Sequence, residues 1–225
     1  MRKFLWTFAA LAAGCAAPPP APLPPAAPAA PPAAAAHESW AVTSSRLEVR
    51  VYRDGPMARL GHNHLITSTA LAGRLELREP RTRSGLSLSL PLDSLVVDDP
   101  AAREAAGPDF AAPVPDADRA GTLKNLLGPK VLDAGRQPVL RLSADGLEGG
   151  PEEYLARLRI SLRGEERVVA VPVTVRFDDG LAVVHARAVL RHADLGLVPF
   201  TVAMGALSVR DGIAIDCRLE ARRGT

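Results

Sequence analysis

Cysteine is almost missing from this chain of 225 residues, which has only Cys15 and Cys217. That scarcity excludes a zinc site built on thiolates, and with Cys15 consumed by processing just after an export-type leader it leaves Cys217 no partner for a disulfide. Aromatic residues are only 4% of the chain, so aliphatic side chains must supply most of any core. The apolar run of the leader, Phe4 to Ala13, is about ten residues long, too short to span a bilayer. Charge of one sign is lacking as well. The 27 basic residues stand against 25 acidic ones, and losing Arg2 and Lys3 with the leader makes the remainder formally neutral, which argues against nucleic acid as a partner held by bulk charge. There is no Gly-x-Ser-x-Gly elbow, no Gly-rich phosphate loop and no His-Glu-x-x-His, and no motif calls for a cofactor. The sequence therefore reads as a binding protein rather than an enzyme.

What is present begins with Arg2 and Lys3, the apolar run, and Leu11-Ala12-Ala13-Gly14-Cys15, the layout of a bacterial export signal over residues 1–14. Gly14-Cys15 looks like a lipoprotein processing site, at which Cys15 becomes the acylated first residue. By resemblance to Gram-negative lipoproteins, Ala16 after that cysteine points to the periplasm and an anchor in the outer membrane. Residues 16–36 are Ala and Pro with one Leu, a composition that cannot build a core and favours extended polyproline conformations. Residues 15–38 are thus expected to form a lipidated tether. At about 3.1 Å per residue it reaches up to ~65 Å.

Residues 39–225 suffice for one domain with a real core. Apolar and polar residues alternate through most of it. Leu47, Val49 and Val51 face away from Arg46, Glu48 and Arg50, and Asp54-Gly55-Pro56 ends that run. Leu71 to Leu77, Leu86 to Leu92, Ala156 to Leu162, Val169 to Phe177, Leu181 to Leu190, Ala206 to Arg210 and Ile213 to Leu219 repeat the pattern, with Gly164 and Asp178-Asp179-Gly180 as turns. Many strands with one apolar face each require an antiparallel sheet that covers that face, either as a barrel or as a two-sheet sandwich. One segment departs from the period. Asp116 can cap a helix running through Leu127, stopped by Gly128-Pro129, with Leu123, Leu126 and Leu127 as its apolar side, suited to plug a barrel end.

Two of the five histidines, His62 and His64, stand two residues apart in Gly61-His62-Asn63-His64. In an extended chain they share one face with Ile66. Three readings are open: histidines satisfied by hydrogen bonds, polar contacts at a ligand mouth, or half of a metal site completed by His192, Asp194 or His185. Arg59, Arg74 and Arg191 could pair with a phosphate. Cys217, on an apolar strand face, is expected to be an inert buried thiol. The acidic pairs Asp98-Asp99 and Asp178-Asp179 are neighbours that point apart in an extended chain, so neither makes an acid/base dyad.

From Trp40 to Arg223 the chain resembles the YceI-like family of exported, lipocalin-like barrels. The resemblance rests on Trp40 with Ser44-Ser45; Leu92-Asp93-Ser94-Leu95-Val96-Val97-Asp98-Asp99; Asn125-Leu126-Leu127; Lys130-Val131-Leu132-Asp133 running to Pro138; Ile160-Ser161-Leu162-Arg163-Gly164; and Arg191-His192-Ala193-Asp194-Leu195-Gly196-Leu197. Gly61-His62-Asn63-His64 looks like a branch of that family. The resemblance implies an all-β, antiparallel lipocalin-like barrel of about eight strands with one inserted helix. It further implies a lumen for a polyisoprenoid or other long-chain lipid.

The alternation supplies the lumen candidates Leu47, Val49, Leu75, Leu77, Leu88, Leu90, Leu158, Ile160, Val173, Val175 and Ile215, and the polar candidates at the mouth are His62, His64, Arg191 and His192. The same pattern fits a filled core, so a protein-binding surface module stands as one alternative, and a metal-binding protein or metal-dependent enzyme using His62 and His64 as another. Monomer and homodimer are both open.

Overall fold

The computed structural model describes residues 37–224; the leader, Cys15 and the Ala/Pro tether lie outside the described residues. Twelve strands form one antiparallel sheet, and eight of them close into a barrel. In barrel order these are β1 (His37–Asp54), β3 (Ala72–Arg78), β4 (Gly85–Pro91), β6 (Val139–Asp145), β8 (Glu153–Leu162), β9 (Glu165–Asp178), β10 (Leu181–Arg191) and β12 (Leu207–Arg223). β12 returns to β1 in a ladder running from Trp40 opposite Arg223 to Asp54 opposite Ser208, which closes the barrel. The sandwich alternative is thereby excluded. Closure hides the strand edges that an open sheet of this apolar content would expose.

The remaining strands are β2 (His64–Ser68), β5 (Val96–Val97), β7 (Leu147–Gly149) and β11 (Thr201–Val202). β1 is long enough to serve two partners on one edge. Its first residues, His37 to Ala41, pair with β3, and Leu47 to Val51 pair with β2, which in turn pairs with β5. A flap of β2 and β5 therefore extends the wall at one end of the barrel.

The alternation seen in the sequence becomes the inside and outside of this wall. On β9, Val169, Val171, Val173 and Val175 are all buried while their neighbours face outward. Asp179 and Gly180, both at positive φ, make the tight turn into β10, as Asp-Gly pairs do in hairpins. Gly73 is needed for closeness instead: a Cβ there would stand 2.1 Å from the Ser87 carbonyl oxygen on β4.

Among the described residues two α-helices interrupt the strands, α1 (Pro100–Ala105) and α2 (Asp116–Leu127). The bounds of α2 agree with the expectation, but its cap does not. Pro115 is the N-cap and makes no side-chain cap, while Asp116 lies inside the first turn and pairs with Arg119. Proline has no N–H to satisfy and its fixed φ starts the helix without help. Leu123, Leu126 and Leu127 pack on the core, so α2 lies across one barrel end. α1 was not foreseen; Asp99 caps it through the Ala102 amide at 2.9 Å. No helix of the described residues is long and apolar enough to cross a membrane.

The end away from α2 is packed solid. Trp40, Leu75, Leu77, Tyr154 and Val175 are buried there, and Ala182 and Ala221, with no exposure at all, admit the large rings beside them. The Trp40 ring meets Phe177 edge-on at 5.8 Å, with Arg223 over Trp40 and Arg81 over Phe177 shielding the outer faces. A barrel shut at one end by side chains and crossed by a helix at the other has its interior between them.

Candidate ligand cavity

That interior holds a cavity of about 400 Å³, within the range of ligand pockets, roughly 300–1,000 Å³. Its wall comes from every barrel strand except β3, together with β2, α2 and the loops after α2 and β10. Of the predicted lumen residues, Leu47, Val49, Leu88, Leu90, Leu158, Ile160, Val173 and Ile215 line it. Leu75, Leu77 and Val175 do not. They point inward, as their period requires, but belong to the packed end. Among the described residues no lysine, arginine, aspartate or glutamate lines the cavity; His64, Thr122, Asn125 and His192 are the polar side chains that do.

The Gly61-His62-Asn63-His64 stretch proves to be the hinge between the lumen and a buried polar knot. β2 starts at His64, so His64 and Ile66 face the cavity, while Leu65 does not line it and is 1% exposed. His62 precedes the strand, does not line the cavity, and stands 3.9 Å from Asp118 on α2.

His64 Nδ1 lies 2.6 Å from Asp98, a carboxylate with no solvent exposure. Asp98 also accepts from the Leu65 amide at 2.8 Å and from the Arg103 guanidinium at 2.6 Å. Burial works to raise the Asp98 pKa, but the hydrogen bonds from His64, Leu65 and Arg103 outweigh it and hold the carboxyl below its ordinary value. Arg103 donates besides to the carbonyls of Asn63 and Ala112, at 2.7 and 2.8 Å, and lies 5.6 Å from the Phe110 ring. Phe110 packs on Tyr52 and Tyr52 on Arg210, so two adjoining rings have a cation at each end. Asn63 completes the knot, accepting from the Arg53 amide and donating to the Asp109 carbonyl.

Sequence reading missed Asp98 and Arg103. The sequence offers Asp98 only as half of an adjacent acidic pair, whereas its backbone at φ 54° aims the side chain into the protein. The only available signal was its place in the Val96-Val97-Asp98-Asp99 segment of the family resemblance.

The other predicted polar residues are scattered. His192 lines the cavity, with Nδ1 2.8 Å from the Asp211 carbonyl. Arg191 is exposed and held by Asp194, whose carboxylate also accepts from the Arg191 amide and caps the loop. His185 is paired with Asp216 at 2.7 Å. Neither Arg59 nor Arg74 reaches the lumen. Among the described residues no group of three or more His, Cys, Asp or Glu is arranged to hold a metal ion. A histidine backed by a buried carboxylate is the layout of a general base or a metal ligand. Here His64 borders a mainly aliphatic wall and belongs to no metal-holding group among the described residues, so what the arrangement offers is a polar contact.

Cys217 lines the lumen between Leu47 on β1 and Ala186 on β10. Burial, with a smaller push from the Asp216 charge, raises its thiol pKa to about 11. Since the thiolate is the reactive form, a thiol reagent at neutral pH should modify Cys217 about 100-fold more slowly in the folded protein than in urea. Equal rates in the two states, followed by mass spectrometry, would contradict this.

No protein-family model and no curated protein sequence matches the chain. Solved structures do. The crystal structure of Burkholderia cenocepacia BcnA aligns with a TM-score of 0.55 at 11% identity, over 78% of this chain and 95% of that one. A polyisoprenoid binding domain from Saccharophagus degradans, implicated in plant cell wall breakdown, aligns at 0.53 and 12% identity, over 83% of this chain and 99% of that one. A mutant CJ YceI protein prepared for nanotechnology applications aligns at 0.50 and 8% identity, over 69% and 82% of the two chains. The barrel fold of these proteins is the fold of this chain.

Proposed function

We propose that this protein is a lipid-binding barrel that sequesters or carries a long apolar chain of the polyisoprenoid type in its lumen. The observation that carries the reading is the uncharged, aliphatic cavity inside a barrel closed at one end. Such a space offers an alkyl or isoprenoid tail the removal of its surface from water, about 0.8 kcal/mol per buried methylene. It offers a charged metabolite nothing. The barrel fold shared with a polyisoprenoid binding domain supports the same ligand class. Affinity should therefore rise with tail length until the cavity is full. Organic extraction of the purified protein with mass spectrometry, and titration with isoprenoids of several lengths, test this. Absence of stoichiometric lipid together with no saturable binding would leave the filled-core, protein-binding reading in its place.

In this proposal the barrel works from a membrane, held by an acylated Cys15 through the Ala/Pro tether, in the periplasm and on the outer membrane. The support is the export-type start of the chain and Gly14-Cys15. One acyl chain gives only marginal anchoring, so stable attachment requires the multiple acylation typical of a processed lipoprotein cysteine. Cys15→Ala is expected to move the protein from the membrane fraction to the soluble one or to block its processing. A wild-type protein found wholly soluble, with an unmodified N-terminus elsewhere, would refute the anchor.

A further inference from the structure

We infer that the rim of the barrel mouth docks on a bilayer surface containing anionic phospholipid, inserting Leu60, Val198, Val202 and Met204 among the lipid chains. The purpose of such a contact, passage of a lipid between bilayer and lumen, rests on the reading of the cavity as a lipid site; the contact itself rests on the rim.

Two segments build this rim, residues 55–61 after β1 and residues 198–207 after β10. They are held to each other. The Met57 amide donates to the Ala206 carbonyl at 2.8 Å, and a Cβ on Gly61 would stand 2.9 Å from Leu207 Cδ1. The second segment folds back as β11 on β12, Thr201 opposite Ser208, with the Val209 amide donating to the Phe200 carbonyl at 3.0 Å. Val198 and Phe200 line the cavity and are exposed as well, so they stand at its opening. Met57, Leu60, Val202 and Met204 are exposed beside them, Leu60 to 60%, and Met204, at φ 55° in its turn, is wholly in solvent. Barrel closure requires none of these outward apolar side chains, and apolar surface gathered in this way marks a place of interaction.

Charge selects the occupant. Residues 55–63 and 195–210 contain no aspartate or glutamate, while Arg59 and Arg210 lie within them and Arg53 just before. All three arginines are exposed. Arg53 donates to the Gly61 carbonyl at 2.5 Å and Arg210 lies over the Tyr52 ring, and none of the three forms an ion pair among the described residues. The acids that border the segments are engaged already, Asp54 by the Gly55 amide, Asp194 by Arg191 and Asp211 by the His192 amide. Apolar tips among uncompensated cations are the pattern of an interfacial membrane contact, the apolar groups entering the acyl boundary and the cations meeting lipid phosphates. A second copy of the chain is a poorer occupant. A two-fold interface sets one surface against itself, here arginine against arginine with no acid in either segment to answer. The expected tether also allows the contact. It meets the barrel at His37, at the packed end, and its reach of up to ~65 Å exceeds the ~36 Å of an eleven-residue strand such as β10.

The test is tryptophan fluorescence of the full chain in vesicles of brominated phosphatidylcholine, with and without phosphatidylglycerol. Leu60→Trp and Val202→Trp each place a reporter on the rim, and Leu155→Trp places one on the outer wall near the packed end. The unsubstituted protein supplies the background, and any leader or anchor is common to all. With phosphatidylglycerol present, the rim reporters should shift to the blue and be quenched by the bromines, while Leu155→Trp does neither. Arg59→Gln or Arg210→Gln should weaken the rim contact about fivefold, the worth of one cation near an anionic surface. Equal quenching at the rim and at Leu155→Trp, or quenching at neither, would overturn the inference and leave the lumen reading standing, since lipid extraction is read separately. Rim quenching indifferent to phosphatidylglycerol would overturn the anionic surface as the occupant. A blue shift that needs no vesicles and grows with protein concentration would overturn the inference in favour of a second copy.

Discussion

Asp98→Ala is expected to destabilise the protein by about 3–5 kcal/mol, the usual cost of breaking a buried ion pair and leaving one charge uncompensated. Asp98 has no solvent exposure and Arg103 only 5%, so water cannot replace the lost carboxylate. Arg103 would retain the Asn63 and Ala112 carbonyls but no counter-charge, with its Nε already lacking a partner. Against a total stability of roughly 5–15 kcal/mol for a domain, this is a large fraction. The midpoint of urea unfolding reads it. Because both side chains serve one network, Asp98→Ala combined with Arg103→Met should cost less than the two single changes added together. Strict additivity, or a loss below about 1 kcal/mol for Asp98→Ala, would show that the knot does not hold the flap of β2 and β5 to the barrel.

The same carboxylate makes part of the stability acid-labile. Its native pKa lies below that of the unfolded chain, so its contribution is complete above the unfolded value, near 3.9, and is lost as pH falls through the depressed native value. The stability gap between wild type and Asp98→Ala should thus be constant near neutrality and shrink only in the acid range. A gap that widens on acidification would reverse the assignment.

Val173→Trp is expected to abolish co-purification of lipid while the barrel stays folded. Val173 lies on β9 between Tyr154 on β8 and Ala186 on β10, and both it and Ala186 face the lumen. In a void of about 400 Å³ the indole has space to enter and removes what the ligand would occupy. Overpacking a filled core instead costs about 1–3 kcal/mol and appears as lost stability. Two readouts therefore separate the cases: lipid stoichiometry in the extract, and the thermal midpoint. A folded variant that retains its lipid would show that the chain lies elsewhere in the barrel.

The architecture was largely legible because alternation reports which face a residue takes. A continuous set of inward aliphatics on segments as far apart as Leu47 and Ile215 narrows the fold to a barrel or a two-sheet sandwich, and the β12–β1 ladder decides for the barrel. The stop of α2 at Gly128-Pro129 could likewise be read locally, since proline cannot continue a helix. Leu75, Leu77 and Val175 show where the pattern runs out. They have the period of the lumen-facing residues, yet they pack against Trp40 and Tyr154 at the shut end, because periodicity encodes the face of a strand and not the depth along the barrel or the volume left over.

The site divides on the same line. From the sequence alone came His64 and His192 as candidate polar groups, and an inward face without charge, since residue type and face are local properties. Only the tertiary structure brought His64 against Asp98, 34 residues away, and Arg103 behind it, through the pairing of β2 with β5 and the positive-φ turn that aims the Asp98 side chain inward. Only the tertiary structure, too, put the Asp211 carbonyl on His192. Hydrogen-bond partners are set by distances between strands remote in the chain, and these partners decide which nitrogen of each imidazole holds its proton.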